Sequence, residues 1–238
     1  MLFVPLRSTF FLRICYTGEF PERSVELIMT TILGYGVYVS FAVSLSLLTY
    51  LVLRTFSFGR RRLHSPAQGN RWKGVAYAFG LGMMPWEKES AAKHLPTYVS
   101  GIVYHTGIFA AILFVFLSAA SLRLPEALLD VFRGLMACGF LFGAGLLLKR
   151  SIKPGLKEIS CPDDFAANIL VDLFVLCGFL SSFLTAAIPV FSILAILTFL
   201  YMPLGKIRHC FFFFYSRLLF GSYFGRRGVL PHRESSKV

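Results

Sequence analysis

Apolar residues fall along this chain in long unbroken blocks, not at the alternating positions of a half-buried strand. Five blocks approach the ~20 residues that carry a helix across the hydrocarbon layer of a bilayer. They lie near positions 30–53, 97–120, 130–148, 167–187 and 189–212. A helix satisfies all of its backbone hydrogen bonds within one such block. The pattern therefore predicts an all-α fold, a polytopic membrane bundle of five transmembrane helices. Pro189 separates the last two blocks, and because an interior proline breaks a helix these two should form a tight hairpin. Met29 opens the first block. Residues 1–28 place Arg7 and Arg13 among apolar neighbours and lack a small-residue cleavage site. That segment reads either as a mis-assigned start or as an interfacial helix. The bundle is then 29–221, followed by a basic cytoplasmic tail over 222–238.

The polar connections decide the orientation. Nineteen Lys and Arg fall in 54–93, in 149–163 and from 206 onward, against five on the opposite side. Basic residues stay in the cytoplasm, so the N-terminus is expected outside and the C-terminus inside. The net charge of +12 at first suits nucleic acid, but the cations lie between apolar blocks. A charged fraction of 15% and a mean hydropathy of +0.67 complete the membrane reading, since soluble domains carry about 25% charged residues. The segment 54–93, with Trp72 and Trp86 among its basic residues, suits the cytoplasmic membrane surface and could also dock a partner.

Candidate chemistry is sparse. His105 and His209 each sit in an apolar block, where an ionisable side chain is costly and usually functional. With a helix start at Pro96, His105 is about 13 Å deep at ~1.5 Å per residue. If the fifth helix runs on to Arg217, His209 lies at a matching depth. Two imidazoles at one level can hold a haem iron from both faces; taken singly, either could be a buried hydrogen-bonding residue. Gly101 and Gly107 would leave room for a flat ring, and Lys206 and Arg208 would meet its propionates. His94 precedes Pro96 and belongs at the interface, where it could touch a propionate or a quinone. His64 and His232 lie in polar segments and should be solvated. Asp172, about one turn inside the fourth helix, pairs with Lys149 or Arg150, or accepts a proton at a quinone site. Gly139-x-x-x-Gly143 marks a close helix–helix face. The five cysteines form no C-x-x-C and no C-x-x-C-H, which argues against an iron–sulfur site or covalently attached haem.

Three segments carry a family resemblance: Tyr104-His105-Thr106-Gly107-Ile108; Gly145-Leu146-Leu147-Leu148-Lys149-Arg150; and Pro203 to His209. With the tail Phe224-Gly225-Arg226-Arg227-Gly228-Val229-Leu230-Pro231, they make residues 30–231 resemble the gamma subunit of respiratory nitrate reductase. The related membrane cytochromes of sulfite-reduction and heterodisulfide-reductase-like complexes look similar. The resemblance implies b-type haem, exchange with menaquinone or ubiquinone, an iron–sulfur or other redox subunit on the cytoplasmic face, and a bacterial or archaeal cytoplasmic membrane. The nitrate reductase subunit holds two haems. The positions matching its second ligand pair are Val115 and Phe191 here. Both ligands of one haem are absent together while the other pair is present, so the expectation is one b-type haem on His105 and His209. The same departure leaves the quinone site open. The rival is a haem-less membrane scaffold or anchor of a respiratory complex. A transporter draws little support, because the blocks show no internal repeat.

Overall fold

The computed structural model describes residues 22–58 and 65–230, with the side chains of 22–27 and of Glu89 and Ser90 left aside. Its long helices are α1 (Glu22–Thr55), α4 (Leu95–Ala119), α5 (Glu126–Ile152), α7 (Pro162–Ser181), α8 (Ile188–Tyr201) and α9 (His209–Arg226). Shorter ones are α2 (Arg71–Phe79), α3 (Glu89–Lys93) and α6 (Pro154–Glu158). Among the described residues there is no strand. Four helices, α1, α4, α5 and α7, are long and apolar enough to cross a membrane. A fifth span arises if α8 and α9 are counted together, and they are bent by 75°. This is the architecture of a multi-pass membrane protein. The helix that begins at Glu22 runs through positions 28–29 without a break, and α9 runs through 221–222. His64, His232 and most of the N-terminal segment lie outside the described residues.

Proline opens several helices. Pro96, Pro154, Pro162 and Pro189 each occupy a first-turn position, where the missing N–H removes no intrahelical bond. Pro189 thus starts α8 as expected, after the short turn Thr185–Ala187.

The helices pack through glycine and phenylalanine. A Cβ built on Gly107 would stand 2.5 Å from the Cα of Gly139, and one on Gly139 would stand 2.7 Å from the Cα of Gly107. Hence α4 and α5 touch backbone to backbone, the small-residue contact common between membrane helices. Gly107 therefore serves this crossing and does not clear space for a flat ring. Gly74 of α2 meets Gly221 and Gly225 of α9 in the same way. That crossing fixes α2 and α9 as a pair across the end of the bundle. The core itself is a run of stacked rings: Phe191 stacks on Phe174 at 5.2 Å and on Phe114 at 5.9 Å, and Phe199 stacks on the partly buried Phe116 at 5.8 Å.

The fifth block does not run straight, contrary to the expectation of one helix reaching Arg217. Pro203 cannot donate a backbone hydrogen bond, and the chain turns at Met202–Gly205. The N–H groups of Leu204 and Gly205 both donate to the carbonyl of Tyr201, at 3.0 and 2.9 Å. The turn thereby keeps its backbone satisfied at membrane depth. Gly205 is required here because a Cβ would enter the Tyr201 ring.

The glycine contacts give a direct test. Gly107→Ala should destabilise the protein by about 1–3 kcal/mol through overpacking against Gly139. Gly101→Ala, where a Cβ meets nothing within 4 Å, should stay within about 0.5 kcal/mol of wild type. Thermal melts of the two variants in one detergent would decide; equal melting points would disprove the backbone contact.

Candidate functional site: a cavity between two histidines

The bend between α8 and α9 creates the site. His105 stands in the third turn of α4, and His209 is the first residue of α9, just past the bend. Their ring centres are 6.1 Å apart and the ring planes meet at 82°. Each ring is oriented by its own helix. His105 Nδ1 lies 2.6 Å from the carbonyl oxygen of Gly101, and His209 Nδ1 lies 2.8 Å from that of Lys206. A carbonyl can only accept, so each Nδ1 carries the proton and donates it. In the neutral rings both Nε2 atoms are then left with free lone pairs. A backbone or carboxylate partner on the other ring nitrogen is the usual support of a metal-ligating histidine. Gly101 contributes this carbonyl, and its open Cβ position shows no steric role in the described contacts.

Both histidines line a cavity of about 630 Å³ bounded by α1, α4, α5, α7, α8 and α9. That volume falls within the ~300–1,000 Å³ of cofactor and small-molecule sites. Most of the lining is apolar, including Phe41, Leu48, Ile108, Phe174 and Phe211. The polar groups are few. Ser44 from α1 is buried, and its hydroxyl has no hydrogen-bond partner. A membrane-helix serine usually back-bonds to the carbonyl a turn earlier, as Ser46 does to Ala42 at 2.8 Å. The orphan hydroxyl of Ser44 is thus a polar group waiting on the cavity wall.

At one end of the cavity two cations converge on one carboxylate. Arg150 from α5 pairs with Asp164 at 3.0 Å, and Lys206 pairs with the same Asp164 oxygen. Asp164 is itself almost fully buried, and its second oxygen accepts from the Cys161 N–H at 3.0 Å, capping α7. The neighbouring Asp163 accepts from the hydroxyl of Tyr201, which ties α7 to the start of the bend. Arg150 and Lys206 thus bring two cations to the cavity wall, where basic side chains suit a carboxylate-bearing ligand.

Of the residues expected from the sequence, His105, His209 and Lys206 come together at this cavity. Arg208 does not. It points to the other side of the bend, into a separate small pocket, because it sits in the tight turn Lys206–Arg208 where successive residues face apart. His94 is exposed at the α3–α4 junction and lines no part of the cavity. Asp172 is buried, with 5% exposure, behind the cavity wall. It accepts from the Asn168 amide at 2.9 Å, and the same amide donates to the Tyr104 hydroxyl at 3.2 Å. Tyr104 and Asn168 both line the cavity. The other Asp172 oxygen has no partner and lies where a Cβ on Gly143 would be. The expected pairing of Asp172 with Lys149 or Arg150 is not formed: Lys149 donates to the Thr97 hydroxyl and Arg150 turns to Asp164.

Sequence reasoning missed Asp164, Arg150 and Ser44. Asp164 had a visible signal, since Cys161-Pro162-Asp163-Asp164 is a helix start with acid in the first turn. Ser44 carried none, because serine is common on packed membrane-helix faces.

No family model, curated protein or solved structure matches the chain. Among the described residues, no group of three or more His, Cys, Asp or Glu is placed to hold a metal ion.

Asp164→Asn should lower stability by roughly 1–3 kcal/mol, a figure reduced from that of a wholly buried pair because Arg150 and Lys206 are partly solvent-exposed. The exposed Lys157→Gln variant should melt as wild type does. Chemical or thermal unfolding in detergent checks both, and a neutral Asp164→Asn would refute the charge cluster as a structural element.

Proposed function

We propose that this chain is a membrane electron-transfer subunit that holds one b-type haem between His105 and His209. One observation carries the reading: two imidazoles face one apolar cavity with Nδ1 tied to backbone carbonyls and ring centres 6.1 Å apart. Metal–imidazole bonds are about 2 Å, and a ring nitrogen is about 1.2 Å from its ring centre. Two imidazoles that shared one metal would have ring centres no more than about 6.4 Å apart, and the observed 6.1 Å lies within that reach. Two histidines alone leave a bare ion without further donors, and no third His, Cys, Asp or Glu among the described residues supplies them. A macrocycle that brings its own equatorial nitrogens fits that deficiency.

When bound, the haem supplies a one-electron couple whose potential is set by axial ligands, hydrogen bonds and burial. The chain's residues do the rest. Gly101 and Lys206 carbonyls orient the two rings and raise their basicity. The largely apolar lining suits a flat hydrophobic ring, and Arg150 and Lys206 offer positive charge to carboxylates. The resemblance to the nitrate reductase gamma subunit points the same way. So do the two positions that would carry a second ligand pair: Val115 and Phe191 are fully buried, and Phe191 is stacked between two rings. A packed aromatic core at that level favours one haem over two.

In this reading electrons pass between a membrane quinone, menaquinone or ubiquinone, and an iron–sulfur or other redox subunit on the cytoplasmic face. The membrane is the bacterial or archaeal cytoplasmic membrane, with the N-terminus outside and the basic helix ends inside. Tyr104 and Asn168, backed by Asp172, are the neutral polar groups at the cavity that could meet a quinone oxygen.

The test is a reduced-minus-oxidised absorbance spectrum with a haem-to-protein ratio. Wild type should show a b-type spectrum at about one haem per chain, a stoichiometry set by one ligand pair. His105→Ala and His209→Ala should each lose it, while His94→Ala keeps it. Two haems would overturn the ligand assignment. A well-folded protein with no haem would place the chain with membrane scaffolds.

A further inference from the structure

Arg208, turned away from the histidine cavity, opens a second site. It lines a pocket of about 370 Å³ with Leu51, Arg54, Phe58 and Phe212. The pocket brings two guanidinium groups against three apolar side chains. Among the described residues neither guanidinium has a hydrogen-bond or ion-pair partner, and no acidic residue lines the pocket. Asp163 and Asp164 are taken by Tyr201 and by Arg150 and Lys206. Two unpaired cationic residues lining one pocket favour an anion there.

The position is as telling as the composition. Arg54 is in the last turn of α1, at the end of a 34-residue apolar helix. Leu53, Phe56 and Phe58 beside it are exposed, as expected of a helix end at the boundary of lipid and water. The pocket walls are fixed. Thr55 shares a 2.6 Å hydrogen bond with the hydroxyl of Tyr215, and Phe56 packs edge-on against the Tyr215 ring at 6.2 Å. These contacts hold the end of α1 to α9. A basic pocket between membrane helices on the side rich in Lys and Arg is suited to an anionic lipid headgroup.

We infer that this pocket binds an anionic glycerophospholipid. The phosphodiester sits between Arg54 and Arg208, each guanidinium donating paired N–H bonds to phosphate oxygens. An acyl chain runs along Leu51, Phe58 and Phe212. The site is independent of the histidine cavity and does not need a cofactor there.

The full chain in detergent is titrated with palmitoyl-oleoyl phosphatidylglycerol, with the matching phosphatidylcholine, and with inorganic phosphate, read by native mass spectrometry and thermal shift. Phosphatidylglycerol should bind at least about tenfold tighter than phosphatidylcholine, as two interfacial cations imply. The Arg54→Gln, Arg208→Gln double variant should lose that preference, and Lys157→Gln should keep it. Equal binding of the two lipids overturns the inference, as does a preference that survives the double variant. Competition by millimolar phosphate would make this an ion site and not a lipid site. Should the double variant fail to fold, wild type is labelled with a photoreactive phosphatidylglycerol. Labels within 50–58 and 206–216 support the site, and labelling confined to other segments refutes it.

Discussion

The turn at Met202–Gly205 is the constraint on which the rest depends. A backbone that leaves helical geometry inside a membrane must still satisfy its polar groups. Here Tyr201 does so twice over, its carbonyl accepting two N–H groups and its hydroxyl donating to Asp163. Pro203 forces the turn and Gly205 permits it. The consequence is geometric. α9 leaves at 75° to α8, so His209 swings to face His105 and the cavity opens at the inside of the bend. A straight helix would have kept His209 in line with α8.

The same bend sorts the cations. Lys206 and Arg208 are two residues apart, in a turn too tight to place both on one side. Lys206 joins Arg150 on Asp164, and Arg208 faces the α1 end with Arg54. One turn of three residues thus serves two environments, an apolar cavity with a charged end and a basic pocket at the end of α1. Glycine holds both in register: Gly107 with Gly139 sets the α4–α5 distance beside the cavity, and Gly74 with Gly221 and Gly225 clamps α2 across α9.

Burial inside the bundle is uneven in a way that bears on function. Where α4, α7 and α8 meet near Val115 and Phe191, stacked rings fill the space. Nearer the bend the same helices leave a cavity with an unpartnered serine hydroxyl. The two oriented imidazoles therefore stand at an open, largely apolar cavity, away from the filled part of the bundle.

The sequence by itself determined the helical class and the long apolar helices, because block length is a one-dimensional property. It also marked His105 and His209, since an ionisable residue in an apolar block stands out wherever its side chain points. The azimuth of each helix and the angle of a break are not written in block length. Only the tertiary structure decided that Gly107 packs on Gly139 and not on a ligand, that Arg208 turns away, and that Asp172 bonds Asn168 and not Lys149 or Arg150. Each of these depends on which helix stands opposite. That is settled by the packing of glycine and phenylalanine among four helices, and by one proline that turns the last span aside.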